Sequence, residues 1–296
     1  MRKISPLLLG LSLAVPGISV AAAQHQPTTA PMTPPKYLQI TVEYTKPGKG
    51  GAAHDKTEGA FVRAMARAKF PINYFAYNSM SGKPRAIYIS GFDSFAEMEK
   101  ANKIFDDPAV AAEFEPLNVA DGELLEDSKT LLFSYVPDLS LRPSVDLLHH
   151  RYLEADIMHV KSGHGKEFHE LAKMWVDLYQ KAGTSAHWVA LHSEYGEDTG
   201  YYVFLTTDNS LTDVDTGFAD NDKFGATLTD DEKKKFRELR AECLEEDRTE
   251  IYSVNPAQSY VPADFIKADP GYWKPKSGAA AKPVAKPAAD DKKAKP

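Results

Sequence analysis

Cysteine, long apolar runs and short catalytic motifs are scarce or missing in this 296-residue sequence. Its single cysteine, Cys243, excludes a disulfide within one chain, so stability must come from packing. Beyond the N-terminus no apolar run approaches the roughly 20 residues that a membrane-spanning helix needs, so we expect no transmembrane segment. No serine nucleophile elbow, HExxH, CxxC or phosphate-loop pattern occurs, so the usual signatures of those chemistries are missing.

The first 23 residues have the order of a cleavable export signal. Arg2 and Lys3 precede an apolar stretch that runs from Pro6 to Val20, and three alanines follow it. We expect cleavage after Ala23 and therefore a periplasmic or secreted protein. The alternative, an uncleaved membrane anchor, is disfavoured because the apolar stretch is too short to span a bilayer comfortably.

Both ends of the mature chain are low in complexity. Residues 24–36 are rich in Pro, Thr and Gln, and residues 274–296 consist mainly of Lys, Ala and Pro. Neither segment has enough apolar surface to offset the entropy lost on ordering, so we expect both to be disordered. The lysine-rich tail suggests a weak contact with anionic polymers of the cell envelope, although a solvated extension explains the same composition.

Charge argues against nucleic-acid binding. The net charge is −7 even though Arg2, Lys3 and the seven lysines of the tail are basic, so the remaining body is more acidic than the whole chain. Phosphate backbones are bound by clustered Lys and Arg, which such a body does not favour. We therefore expect no nucleic-acid partner.

Between these ends the sequence repeats itself, which divides the mature chain into repeat 1 (37–143) and repeat 2 (144–273). The matching positions are Tyr37-Leu38 with Tyr152-Leu153, then Lys46, Gly48, Gly50 and His54 with Lys161, Gly163, Gly165 and His169, and finally the segment 130–143 with 249–262. Within each repeat, alternating apolar residues predict strands and apolar residues at helical spacing predict helices, in the order β-α-β-β-α-β. A capping-box pattern at Thr229 predicts a helix start. Residues 211–228 are predicted to be a long insertion loop.

This order predicts an α+β fold of two tandem ferredoxin-like units. Each unit covers one face of its antiparallel sheet with helices, and the other face is bare. We expect the two bare faces to bury each other, which gives a pseudo-dimeric α/β barrel.

The segment from Val160 to Phe168 (VKSGHGKEF) leads into an amphipathic helix, and residues 46–50 (KPGKG) are its counterpart in repeat 1. These segments resemble the first strand-to-helix turn of the dimeric α/β-barrel superfamily, which includes antibiotic-biosynthesis-type monooxygenases and stress-responsive barrel proteins. The resemblance implies the barrel fold. It also implies two kinds of activity: members such as the chlorite dismutase group bind haem through a histidine, and others oxidise aromatic substrates without a cofactor.

Strand alternation suggests a ligand site between the two sheets. If Leu38, Ile40 and Val42 meet the helices, the intervening residues point into the inter-sheet space. The candidate ligand-binding residues are then Thr41, Glu43, Tyr88, Glu154, Asp156, Tyr202 and Tyr252. Carboxylates among aromatic residues suggest a pocket for a small apolar or aromatic molecule, with no cofactor and with a monooxygenase-like reaction implied by the resemblance. The alternative is that the acids lie at an open rim or pair with arginines.

Three histidines, His159, His164 and His169, follow one another at intervals of five. Because imidazole is a common metal ligand, they suggest haem or a divalent metal as an alternative cofactor. Their other interpretation is as turn and capping residues in an acidic protein. A third candidate function is a non-catalytic envelope protein whose sheets only bury each other. Cys243 lies on the apolar stripe of a predicted helix and is expected to be a buried structural thiol.

Overall fold

The computed structural model describes residues 32–144 and 146–274. In these residues the strands are β1 (Tyr37–Thr45), β2 (Tyr74–Ser79), β3 (Arg85–Phe92), β4 (Leu125–Tyr135), β5 (Tyr152–Val160), β6 (Val189–Tyr195), β7 (Tyr201–Asp208) and β8 (Leu244–Val254). The helices are α1 (Ala52–Ala68), α2 (Phe95–Asn102), α3 (Pro108–Gly122), α4 (Gly165–Lys181), α5 (Leu211–Thr227), α6 (Asp230–Cys243), α7 (Ala263–Ala268) and α8 (Pro270–Trp273). The predicted signal peptide (1–23) lies outside the described residues, as do residues 24–31 of the predicted linker and 275–296 of the predicted tail.

The strands form one closed antiparallel barrel in the order β1-β3-β2-β8-β5-β7-β6-β4. Each repeat contributes a four-strand sheet, β4-β1-β3-β2 and β8-β5-β7-β6, which is the ferredoxin-like order. The two sheets join where β2 pairs with β8 and where β4 pairs with β6. The predicted fold class is therefore confirmed. Within the described ranges, no helix has the length and apolar character needed to cross a membrane.

An apolar cluster to which every strand contributes fills the barrel interior. Its members include Leu38, Tyr77, Ile87, Phe133, Leu153, Leu191, Leu205 and Val254. Phe133 and Leu191 are 2% and 0% exposed, so the two sheets are in close contact.

This core reverses the predicted orientation of the strands. Leu38, Ile40 and Val42 point into the barrel, and the residues between them face the helices. Alternation separates the two faces of a strand but does not say which is inside. Closing the barrel buries the interior on all sides, so the more apolar face lies there.

The predicted insertion loop at 211–228 is wrong, because residues 211–227 form α5. Ser210 caps the helix, and its side chain and that of Asp213 form a reciprocal capping box. The segment is rich in Asp, Gly and Thr, a composition typical of loops, so its capping pattern was not recognised from the sequence. The predicted helix start at Thr229 is confirmed, since Thr229 caps α6 through Glu232.

One end of the barrel is covered by α7 and α8. The rings of Phe265 and Trp273 pack against Phe75, with centroids 5.6 Å and 5.7 Å from its ring. The Trp273 indole N–H donates to the carbonyl of Leu148 at 3.0 Å. Beneath them His150 is fully buried, and its Nε2 atom forms a 3.0 Å hydrogen bond with a tyrosine hydroxyl. We refer to this end as the closed end.

Candidate metal centre

Four titratable side chains of repeat 1 meet between its sheet and its helices. Glu43 comes from β1, His54 and Glu58 from α1, and Asp121 from the last turn of α3. One potential ligand atom from each residue lies within 4.8 Å of the others. The Nε2 atom of His54 is 3.1 Å from a Glu43 oxygen and 3.5 Å from an Asp121 oxygen. We name these four residues the acid–histidine cluster.

Local geometry explains how the cluster forms. His54 and Glu58 are four residues apart and therefore share one face of α1. Glu43 faces that helix because the alternate residues of β1 point into the barrel. Asp121 arrives through the packing of α3 on α1, and the hydroxyl of Thr57 donates to its carboxylate at 2.6 Å.

The cluster places acidic groups where water is largely excluded. The exposed fractions of the side chains are 3% for His54, 5% for Asp121 and 14% for Glu43. Burial, followed by the charges of Glu43 and Asp121, raises the pKa of Glu58 to about 9. Among the described residues, no Lys or Arg forms an ion pair with any of these carboxylates. Buried carboxylates without such a partner are costly, and oxygen and imidazole donors that converge on one point suit a divalent cation.

Residues that follow β8, which are distant in sequence from α1, cover the cluster. Gln258 is fully buried there, and its side-chain amide nitrogen lies 3.5 Å from Nδ1 of His54 and 3.0 Å from a carboxylate oxygen of Asp55. Nε2 is therefore the ring atom of His54 that faces the carboxylates. The hydroxyl of Tyr88 donates to the Gln258 amide oxygen at 3.4 Å. Because the Gln258 amide N–H donates to Nδ1, a neutral His54 imidazole carries its proton on Nε2, where it faces Glu43.

Repeat 2 does not contain the cluster. At the same sequence offset Met158, His169 and Lys173 stand where repeat 1 has Glu43, His54 and Glu58. Apolar side chains fill the layer between the sheet and α4 and α6, among them Met158, Phe168, Leu171, Phe204, Leu239 and Cys243. The expected burial of Cys243 is confirmed by its exposure of 0%. The two repeats share a fold, but the acid–histidine cluster belongs to repeat 1.

The structure disperses the predicted ligand-binding residues. Glu43 and Tyr88 lie at the cluster, and on the same side of the sheet Thr41 forms a 3.2 Å hydrogen bond with Thr130. Of the seven predicted residues, Tyr252 alone belongs to the packed barrel interior. The prediction that they all point into the space between the sheets is wrong, because the strand faces are reversed.

The remaining three lie on the helix side of repeat 2. Asp156 accepts a hydrogen bond from Thr249, and the ring of Tyr202 packs on Phe168 at 4.4 Å. Burial, followed by the charge of Asp208, raises the pKa of Glu154 to about 7. These three residues do not join the cluster of repeat 1.

The three histidines predicted as metal ligands do not converge. His159 stacks on a tyrosine ring and lies 3.2 Å from Glu245, and His169 lies 3.3 Å from Asp138. His164 forms a smaller group of possible ligands with Glu167 and Glu242. The three histidines lie at a strand end, in a turn and in a helix, so their side chains point in different directions.

Three members of the cluster, His54, Glu58 and Asp121, were not proposed as site residues from the sequence. The spacing of His54 and Glu58 on one helical face was an available signal. Asp121 had none, because its position depends on the packing of two helices that are distant in sequence.

Comparison with solved structures finds similar folds at low sequence identity. An anthrone oxidase-like protein matches over 77% of this chain and 96% of its own, with a TM-score of 0.46 and 14% identity. A mutant chlorite dismutase from Candidatus Nitrospira defluvii matches over 80% of this chain and 97% of its own, with a TM-score of 0.47 and 10% identity. No family model and no curated protein matches the chain. At these values, neither residue roles nor an activity can be transferred.

Haem, which the resemblance implies for some two-repeat proteins, does not fit the described residues. In repeat 2 the layer between sheet and helices is filled by side chains such as Phe168 and Phe204. In repeat 1 the imidazole of His54 is enclosed by carboxylates and Gln258, so neither ring nitrogen faces an apolar space. Two open cavities, of about 380 and 420 Å³, are lined mainly by charged side chains. We therefore do not propose haem binding.

Proposed function

We propose that this chain binds a divalent metal ion through Glu43, His54, Glu58 and Asp121. The observation that carries the proposal is the convergence of three carboxylates and one imidazole within 4.8 Å in a buried layer. Their charges would oppose folding if they stayed uncompensated. A bound dication would neutralise them and accept all four donor atoms.

The donor set narrows the choice of ion. Carboxylate oxygens and one imidazole suit Mn²⁺, Fe²⁺ or Zn²⁺, whereas Ca²⁺ and Mg²⁺ prefer oxygen ligands alone. The cluster has no thiolate, because Cys243 is buried in the apolar layer of repeat 2. When bound, the ion would supply Lewis acidity next to the hydroxyl of Tyr88.

The side chains around the cluster would hold its ligands in place. Thr57 would orient Asp121 through its hydroxyl. An ion on Nε2 would leave the His54 ring proton on Nδ1, so the Gln258 amide, whose nitrogen faces that atom in the structure, would have to turn its oxygen towards it. Glu43 is the most exposed ligand and would lie on the side from which the ion enters. An aromatic pocket between the sheets is not proposed again, because apolar side chains fill that space.

We also propose that the protein acts after export, in the periplasm or outside the cell. The support is the sequence order of residues 1–23, in which two cations, an apolar stretch and three alanines follow one another. Fractionation of the producing cells, followed by N-terminal sequencing of the protein, would test this. A mature N-terminus at residue 24 is expected, and an intact N-terminus in the cytoplasmic fraction would contradict it.

Metal binding is tested by elemental analysis and calorimetric titration with Mn²⁺ and Zn²⁺. We expect one ion per chain, and loss of binding in His54→Asn and Glu58→Gln. The matched control is His169→Asn, which changes the equivalent but exposed histidine of repeat 2. The proposal fails if the wild-type protein binds neither ion at micromolar concentrations, or if the control and the cluster variants lose binding equally.

A further inference from the structure

A second group of possible metal ligands lies in repeat 2, where the start of α4 meets the end of α6. It consists of His164, which directly precedes α4, Glu167 in the first turn of α4, and Glu242 next to the last residue of α6. One potential ligand atom of each residue lies within 4.8 Å of the others. We name these three residues the α4–α6 triad.

Two ligand atoms of the triad are buried and have no hydrogen-bond partner. They are Nδ1 of His164 and Oε2 of Glu167, and only two other side-chain nitrogen or oxygen atoms of the described residues share this state. A buried polar atom without a partner is costly, because it has lost the hydrogen bonds that water gives it in the unfolded chain. The rest of each side chain is partly exposed, at 36% and 35%, so a small ligand can reach both atoms from solvent.

The distance between these two atoms suits a shared ion better than a hydrogen bond. Nδ1 of His164 lies 3.8 Å from Oε2 of Glu167. Hydrogen bonds from N–H to oxygen measure about 2.7 to 3.2 Å. Two ligand atoms that are each about 2.1 Å from one zinc ion lie about 3.4 Å apart in tetrahedral geometry. A small adjustment of either side chain therefore allows one ion to bond to both atoms.

The carboxylates of the triad have no cationic side chain as a direct partner. In the parts of the chain that the structure describes, neither Glu167 nor Glu242 forms an ion pair with Lys or Arg. Lys161 lies in the turn before α4, but its ammonium donates to the carbonyl of Ala241 at 2.8 Å. A divalent cation would supply the positive charge that this group lacks.

The turn before α4 does not need the triad for its own geometry. Lys46 and Lys161 occupy equivalent positions in the two repeats, and each donates to a main-chain carbonyl near the end of α3 or α6. This contact is present in repeat 1 although Lys49 stands there at the position of His164. The side chain of His164 makes no capping hydrogen bond to α4. Neither turn formation nor helix capping therefore accounts for this histidine.

We propose that the α4–α6 triad binds a second divalent metal ion, of the Zn²⁺ class, through Nδ1 of His164 and the carboxylates of Glu167 and Glu242. Imidazole and carboxylate ligands suit this class, and water would occupy the position that three protein ligands leave open. The triad shares no residue with the acid–histidine cluster. Because it offers three partly exposed ligands instead of four buried ones, it fills only after the cluster, at a higher ion concentration. The bound ion links the start of α4 to the end of α6.

The test is a titration of the full chain with Zn²⁺ in which backbone amide signals are followed by NMR. We expect two steps, of which the first shifts the signals of α1 and the second shifts those of residues 163–168 and 241–243. His164→Asn and Glu242→Gln should each raise the Kd of the second step about tenfold or more, because a lost ligand costs at least as much as a lost outer contact. His54→Asn should remove the first step and keep the second, so the failure of either metal site is seen separately.

The matched control is His192→Asn. The side chain of His192 is 35% exposed, and its Nδ1 atom lies 3.3 Å from a single glutamate. This variant should keep both steps unchanged, and circular dichroism should show that all the variants are folded. The proposal is overturned if no second step occurs below millimolar Zn²⁺, if that step leaves the signals of residues 163–168 and 241–243 unmoved, or if His164→Asn binds Zn²⁺ as the control does.

Discussion

The imidazole of His54 lies 3.1 Å from the carboxylate of Glu43, on different elements of repeat 1 and with both side chains mostly buried. Glu58 and Asp121 complete a site that repeat 2 lacks, since Met158 and Lys173 stand at the positions of Glu43 and Glu58. Repeat 1 therefore keeps a buried group of three carboxylates that is costly to fold, whereas repeat 2 places the apolar side chain of Met158 at the position of Glu43. This asymmetry is what makes the cluster a candidate for function.

Glu58 should make the metal-free protein less stable as the pH rises. Burial raises its pKa to about 9 from its ordinary value near 4.5, so the folded state holds a proton that the unfolded state releases. The stabilisation is present below pH 4.5 and is lost as the pH approaches 9, by up to about 1.4 kcal/mol per pH unit. Urea unfolding in EDTA at pH 5 to 8 should show this slope in the wild type.

The slope should be smaller in Glu58→Gln, which keeps the shape of the protonated acid, and the slope that remains comes from other groups such as Glu154, whose pKa burial also raises. Glu115→Gln, on the exposed side of α3, is the control and should keep the slope of the wild type. Equal slopes in all three proteins would contradict the account of Glu58.

Gln258→Ala should weaken metal binding without removing a ligand. The Gln258 amide nitrogen lies 3.5 Å from Nδ1 of His54. Once an ion occupies Nε2 and the ring proton lies on Nδ1, the amide oxygen would accept that proton, and the loss of such outer contacts typically costs about 10- to 100-fold in affinity. Calorimetric titration with Zn²⁺ measures the change. Gln180→Ala, at an exposed position of α4, should bind as the wild type does. Unchanged affinity in Gln258→Ala would remove this residue from the site.

His150 should make the closed end sensitive to acid. Burial lowers its pKa to about 4 from 6.5, so the unfolded state takes up a proton before the folded state does. The stabilisation is complete above pH 6.5 and is lost as the pH falls towards 4. His150→Asn should flatten the decline in the free energy of unfolding over this range. His149→Asn changes the neighbouring exposed histidine and should not; equal curves would contradict the assignment.

Trp273 should be the main anchor of the C-terminal helices. It is 4% exposed, and its indole N–H bonds to the carbonyl of Leu148. Trp273→Ala should lower the free energy of unfolding by about 3 to 5 kcal/mol. Phe218→Ala, at a residue 67% exposed, should change it by less than about 0.5 kcal/mol. Similar losses in the two variants, measured by urea unfolding, would show that the closed end contributes little.

The sequence predicts the architecture because short local patterns recur in the two repeats. Strand alternation, turn glycines and the capping box at Thr229 all report on neighbouring residues. Alternation does not show which face of β1 lies inside the barrel. The sequence therefore predicted Glu43 inside the barrel, whereas the structure places it in the layer between the sheet and the helices. The segment of α5 was misread because its composition resembles that of a loop.

The candidate site depends on contacts that local patterns do not encode. Asp121 reaches His54 only because α3 packs on α1, and Gln258 reaches the same imidazole from the other repeat. Such convergence is a property of the closed barrel and becomes visible only with the fold.

The most direct test of the metal centre is a crystal structure of the full chain soaked with Zn²⁺, with anomalous data collected on both sides of the zinc absorption edge. We expect one strong anomalous peak about 2.0 to 2.2 Å from His54 Nε2 and from oxygens of Glu43, Glu58 and Asp121. A fully soaked crystal with no peak at these four residues, or with its only peak at His164, Glu167 and Glu242, would contradict the proposed site.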